Sequence, residues 1–194
     1  LAQLTSPNPS WPEGTRQISE LRLSLRVQPT GLLSGFTGPR TVHIDIVDYP
    51  GEWLLDLGLL DLSFEQWSKS AILRAKGRPL GDEFLQMLQG VDPGAPLDEV
   101  KAKSLTSAFT AHLNASREAG FSDCTPGRFL LPGDLKGSPV LTFAPISTHA
   151  NVRKSLGREF ARRFESYKRN VVKPFFRDHF AKIDRQVVLV DVLG

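Results

Sequence analysis

Cysteine is nearly absent from this chain: Cys124 is the single one in 194 residues. That excludes an internal disulfide framework and a zinc site built on cysteines. It fits a reducing compartment, and the expected localisation is cytoplasmic, with membrane association left open. Cys124 itself reads as a small buried hydrophobe. No apolar run approaches the ~20 residues of a membrane span, and no basic-then-apolar leader opens the sequence. An initial Met is missing too. The chain begins Leu-Ala-Gln, which reads as an excised segment or a processed chain. Metal-ligand spacing is lacking among the histidines, since His43, His112, His149 and His179 are scattered. There are no internal repeats and no low-complexity tract. What remains is ordinary for a globular protein, 40% hydrophobic and 23% charged, and long enough to bury a core.

Two stretches alternate at period two and read as strands. In the first, Leu21, Leu23, Leu25 and Val27 alternate with Glu20, Arg22, Ser24 and Arg26, the mark of a half-exposed strand near a sheet edge. In the second, Val42, Ile44 and Ile46 alternate with Thr41, His43 and Asp45. The Gly- and Pro-rich residues 28–40 between them read as a loop, so an antiparallel hairpin is expected. The second strand ends at Asp48-Tyr49-Pro50-Gly51. A core strand that delivers a carboxylate to its C-terminal end, followed by a Gly turn, is how α/β nucleotide-binding proteins present a residue to a ligand. In P-loop NTPases such a carboxylate holds Mg²⁺, and a backbone N–H beyond it senses the terminal phosphate. Gly51 suits that task because it admits close approach. Pro-Gly is also the commonest type II turn signal, so the motif by itself leaves a plain loop open.

Upstream, residues 1–14 hold three prolines and lead as an extended loop into Thr15. The order is a loop with Thr15, an edge strand, a hairpin loop, a central strand and Asp-x-x-Gly. That order matches the middle of a Ras-type GTPase domain. Downstream, Glu52-Trp53-Leu54-Leu55-Asp56-Leu57-Gly58-Leu59-Leu60 is highly apolar and is expected to dock on the sheet. Ser63 caps a helix running to about Lys76, and Gly81–Gln89 is a short second helix. Leu97–Ala119 is a long third helix with Val100, Leu105, Phe109 and Leu113 as its stripe and Gly120 as its stop. Phe129-Leu130-Leu131 reads as a short strand or docked loop. The longest helical stretch, residues 151–182, places Val152, Leu156, Phe160, Phe164, Tyr167, Val171 and Phe175 at helical spacing, with Pro174 kinking or splitting it. The run from Gln186 to Leu193 reads as a buried parallel strand.

Charge is concentrated in that last helical stretch. Residues 151–182 hold ten Lys or Arg against three acids, a net +7, while the other 162 residues sum to −4. A positive stripe of this kind binds an acidic protein partner or a membrane surface, or it is a solvated face paired with the acidic remainder. Nucleic acid ranks last among these partners.

The segments WPEGTRQISELRLSL, DIVDYPGEWLLDLGLL, PGRFLLPGDL and FFRDHFAKIDRQVVLVDVL together resemble the YcjX-like family of P-loop GTP-binding proteins, nearly end to end. The resemblance implies an α/β fold, a partial P-loop NTPase (Ras-like GTPase) sheet with a large, mainly helical insertion. It divides the chain into a hairpin and switch region over 1–57, a helical insertion over 58–182 and a core strand over 183–194. It implies a stress-associated nucleoside-triphosphate hydrolase using Mg²⁺ and GTP, or ATP. Carried over residue by residue, Thr15 and Asp48 are metal and nucleotide candidates, with Asp48 acting through a metal-bound water. Gly51 is a nucleotide contact and Glu52 a candidate water-orienting residue. The chain departs from the family where G-x-x-x-x-G-K-[ST] and Asn/Thr-Lys-x-Asp would stand: neither occurs, and Gly58 replaces the usual Pro. The family's phosphate-binding loop lies upstream and its base-recognition motif downstream, so this segment alone is expected to be inactive. The alternative is a non-catalytic interaction module using the basic helix.

Overall fold

The computed structural model describes residues 18–28, 38–147 and 152–187. The chain divides into two compact units, Leu1–Gly51 and Glu52–Gly194.

The first unit is the hairpin. Strands β1 (Ser19–Val27) and β2 (Arg40–Asp48) pair antiparallel. Their register sets Leu21, Leu23 and Leu25 opposite Ile46, Ile44 and Val42. Period-two alternation on both strands therefore gathers the branched residues on one face. The other face carries Arg22, whose guanidinium donates to Asp45 at 2.5 and 2.8 Å. The alternation was legible, but the expected half-burial is not observed: Leu21 is 55% and Ile46 47% exposed. Among the described residues the sheet has two strands, and such a ribbon cannot bury a face by itself.

The second unit is helical. A 3₁₀ helix, Gly51–Leu59, leads into α1 (Phe64–Ala75), α2 (Gly81–Gln89) and α3 (Glu99–Glu118). Ser63 caps α1 in a reciprocal box with Gln66, satisfying two otherwise orphaned N–H groups. Asp98 caps α3 through the N–H groups of Val100 and Lys101. Gly120 ends α3 with φ +89°, a conformation costly to any residue with a Cβ. The apolar stripe of α3 is Ala102, Leu105, Phe109 and Leu113, not Val100, which is 79% exposed. Val100 lies five positions before Leu105, about 140° around the helix.

After a cis Thr125–Pro126 bond comes α4 (Gly127–Leu130), so Phe129-Leu130 forms a helical turn where a strand or loop was expected. The long basic stretch is α5 (Leu156–Tyr167), a π turn (Lys168–Val172) and α6 (Lys173–Asp178). Pro174 follows the break, as its missing N–H requires. The π turn inserts an extra residue, which moves the inward position from Val171 to the buried Val172. Val152, before α5, is 51% exposed rather than part of the stripe.

Aromatic rings fill the centre of this unit. Trp67 is fully buried, stacks on Phe164 at 5.0 Å, and takes the edges of Phe109 and Phe143 at 5.9 and 5.5 Å. Each such pair adds about 0.5–1.5 kcal/mol beyond area burial. Cys124 is buried, as its chemistry suggested. Gln186 and Val187 are exposed and not in a strand; the rest of that expected strand lies outside the described residues.

Candidate functional site around the Asp-x-x-Gly motif

The sequence candidates fall into three places. Thr15 lies outside the described residues. Asp48 is the last residue of β2, opposite Ser19, so the strand does deliver its carboxylate to the C-terminal end. Gly51 opens the 3₁₀ helix, and a Cβ built there would meet nothing within 4 Å. Glu52 is the first residue of the helical unit.

The segment after Gly51 belongs to the helical unit, where its Trp53, Asp56 and Leu59 are buried. A 3₁₀ helix brings positions three apart onto one side, which aligns Trp53 with Asp56. The indole N–H of Trp53 donates to the Leu131 carbonyl at 2.9 Å, and its ring meets Phe175 edge-on at 5.7 Å. The Arg128 guanidinium lies 3.2 Å from the centre of the Trp53 ring. Asp56 accepts the Gly127 N–H at 2.8 Å and the Tyr167 hydroxyl at 2.5 Å. Gly127 must be glycine: a Cβ would stand 1.9 Å from the Glu52 carbonyl oxygen.

Burial pushes the Asp56 carboxyl up to about 6, against the opposing pull of the Tyr167, Gly127 and Arg128 donors. Burial, then the neighbouring Asp56 charge, raises the Tyr167 phenol well above its usual range. Burial likewise lowers Arg128. With both carboxylate oxygens hydrogen-bonded to protein, this cluster fastens the segment rather than meeting a substrate. Glu52 forms an ion pair with Arg117 in the last turn of α3.

The residues that the sequence reading missed are Asp56, Arg117, Gly127, Arg128 and Tyr167. Two of them left a trace: Asp56 and Arg128 are lone charges in apolar runs, and a buried lone charge requires partners.

The basic element is divided. Arg163 is buried, donates to the Thr142 carbonyl at 3.0 Å and pairs with Glu99, which it holds below the usual carboxylate range. Lys168 is buried and donates to the Leu62 carbonyl at 2.7 Å. Arg158, Arg169 and Lys173 are exposed. Elsewhere in the helical unit, a groove of about 640 Å³ is lined by Ile72, Leu85, Leu88 and Ile146, with Lys76 and Asp92 at its polar positions. Among the described residues no group of three or more His, Cys, Asp or Glu is placed to hold a metal ion. No described helix is long and apolar enough to cross a membrane.

Comparison with known proteins gives these parts a common setting. The profile of the YcjX-like family, DUF463, matches residues 1–194. The Ras-like GTPase YcjX of Escherichia coli (strain K12) is 40% identical over 205 residues, covering all of this chain and 44% of that protein. The Ras-like GTPase YcjX of Shewanella oneidensis is 41% identical over 202 residues, covering 97% of this chain and 42% of that protein. The chain thus spans less than half the length of these relatives. A family match from the first residue to the last, with relatives at this identity over nearly the whole chain, means that the chain belongs to the YcjX-like family.

Proposed function

We propose that the intact protein is a Mg²⁺-dependent nucleoside-triphosphate hydrolase of the P-loop class, acting on GTP or ATP. This chain is its central part, with the helical residues 58–182 inserted in a nucleotide-binding sheet. The observation that carries the reading is the placement of Asp48 as the closing residue of β2, three positions before a glycine that opens a helix. The printed name of both relatives, Ras-like GTPase, supports it.

The donor set fits magnesium in one respect. Mg²⁺ keeps several waters and takes one or two carboxylates plus substrate phosphates, not an all-protein cage. One strand-end carboxylate without a surrounding acidic cluster among the described residues suits that pattern. Asp48 and Thr15 are the residues that would hold it, Asp48 through a bound water. The chemistry such an ion supplies is neutralisation of charge on the phosphate oxygens. Gly51 offers its N–H to the terminal phosphate, with no side chain in the way. Glu52 orients the attacking water. A role in the cellular stress response belongs to the same proposal.

The test is titration of labelled GTP and ATP, with and without Mg²⁺, into the intact protein and its Asp48→Ala variant. Wild type should bind and turn over nucleotide, while Asp48→Ala stays folded and loses Mg²⁺-dependent turnover. Wild-type turnover from Asp48→Ala defeats the assignment. A second reading, an interaction module, is favoured by the exposed Arg158 of α5, Arg169 of the π turn and Lys173 at the start of α6. It predicts nucleotide-independent binding of an acidic protein or an anionic membrane, weakened by salt.

A further inference from the structure

We infer that Arg117 is a positioning residue for the hydrolysis reaction: from the last turn of α3 it fixes the carboxylate of Glu52, the residue directly after Gly51. The inference rests on the nucleotide-hydrolase reading above and concerns the ion pair within the helical unit.

Three observations lead to it. The backbone of Glu52 is tied to the helical unit. Its carbonyl packs against Gly127 closely enough to exclude a Cβ, and the next residue, Trp53, is 3% exposed and hydrogen-bonded to Leu131. Asp56, one turn on, is held by Gly127 and Tyr167. With the main chain fixed, the position of the carboxylate depends on its side-chain torsions, and Arg117 is the group that sets them.

The ion pair does little for stability. Its Arg117 partner is 47% exposed, and solvent screening at that end limits what the pair contributes. α3 is already anchored by Leu113 and the fully buried Ser116 on its inner face. The helix dipole favours a cation in the last turn, but it does not select Glu52 as the partner.

Charge supplies the third argument. A carboxylate beside a triphosphate is repelled by it. A guanidinium on Oε1 offsets that repulsion and leaves Oε2 to accept a hydrogen bond from water. Accurate placement of such a group is worth much in rate and little in ground-state affinity.

The test uses the intact protein as wild type, Arg117→Ala, Arg117→Lys, Glu52→Ala and the double alanine variant. Single-turnover GTP hydrolysis with Mg²⁺, labelled-GTP affinity and thermal unfolding are measured for each. Arg117→Ala should slow hydrolysis on the order of tenfold to a hundredfold. Its GTP affinity and unfolding temperature should stay near wild type. Arg117→Lys should recover part of the rate, and Arg117→Ala should add nothing in the Glu52→Ala background. Wild-type turnover by Arg117→Ala overturns the inference while leaving the hydrolase reading intact. So does an equal loss with and without Glu52. A wild-type protein that neither binds nor hydrolyses GTP or ATP overturns both.

Discussion

Replacing Asp56 with asparagine should remove a pH dependence that the wild-type fold carries. In the folded chain burial raises this carboxyl to about 6, from 3.8 for an unhindered group. The folded state therefore holds a proton that the unfolded chain has released, throughout the interval between those values. The stability contributed by this group is fully present below the unfolded pKa and is lost as pH rises through the folded one. Across the interval the loss runs at about 1.4 kcal/mol per pH unit and sums to about 3 kcal/mol. The asparagine side chain would keep the shape and an oxygen for the Gly127 N–H, with no proton to titrate. Urea unfolding of both proteins, stepped from about pH 4 to pH 7.5, gives the difference in free energy, in which all other titrating groups cancel. The difference should favour wild type increasingly as pH falls. A flat difference would refute the reasoning. A slope of opposite sign would mean that the donors from Tyr167, Gly127 and Arg128 outweigh desolvation, which places the folded carboxyl below its ordinary value.

Two further substitutions probe the same framework. Gly127→Ala should destabilise by about 1–3 kcal/mol or more, because its Cβ would overlap the Glu52 carbonyl and disturb the N–H bond to Asp56; a lowered urea midpoint checks this. Ser63→Ala should cost about 1 kcal/mol by removing the cap of α1, visible as a lower melting temperature with unchanged helical circular dichroism.

Local signals in the sequence translated well into local structure. Ser63 with Gln66 marked the start of α1, Gly81–Gln89 formed as read, and Gly120 stopped α3. The hairpin partners and the ending of β2 at Asp48 followed from alternation and a Pro-Gly breaker. Burial was less legible, since it depends on what covers an element. Leu21 and Ile46 alternate as half-buried residues should, yet stand exposed in a two-stranded ribbon. The shift from Val171 to Val172 was invisible because period-3.6 counting assumes an unbroken α-helix, and the π turn breaks the count. Of the candidate site, Asp48, Gly51 and Glu52 were legible from one short motif. The fastening of the segment that follows them to Gly127, Arg128 and Tyr167 was not, because it joins residues 71 and 111 positions apart. No local pattern reports such a distance.

The two described tryptophans have an optical consequence. Trp67 has no exposed surface and an indole N–H without a hydrogen-bond partner, so its emission follows the integrity of the aromatic core. Trp53 lies beneath a guanidinium, hydrogen-bonded to Leu131, one position after Glu52. Its light follows the anchoring of the first residues of the helical unit. That unit thus carries two native gauges, one for its centre and one for its leading edge, readable without any attached dye.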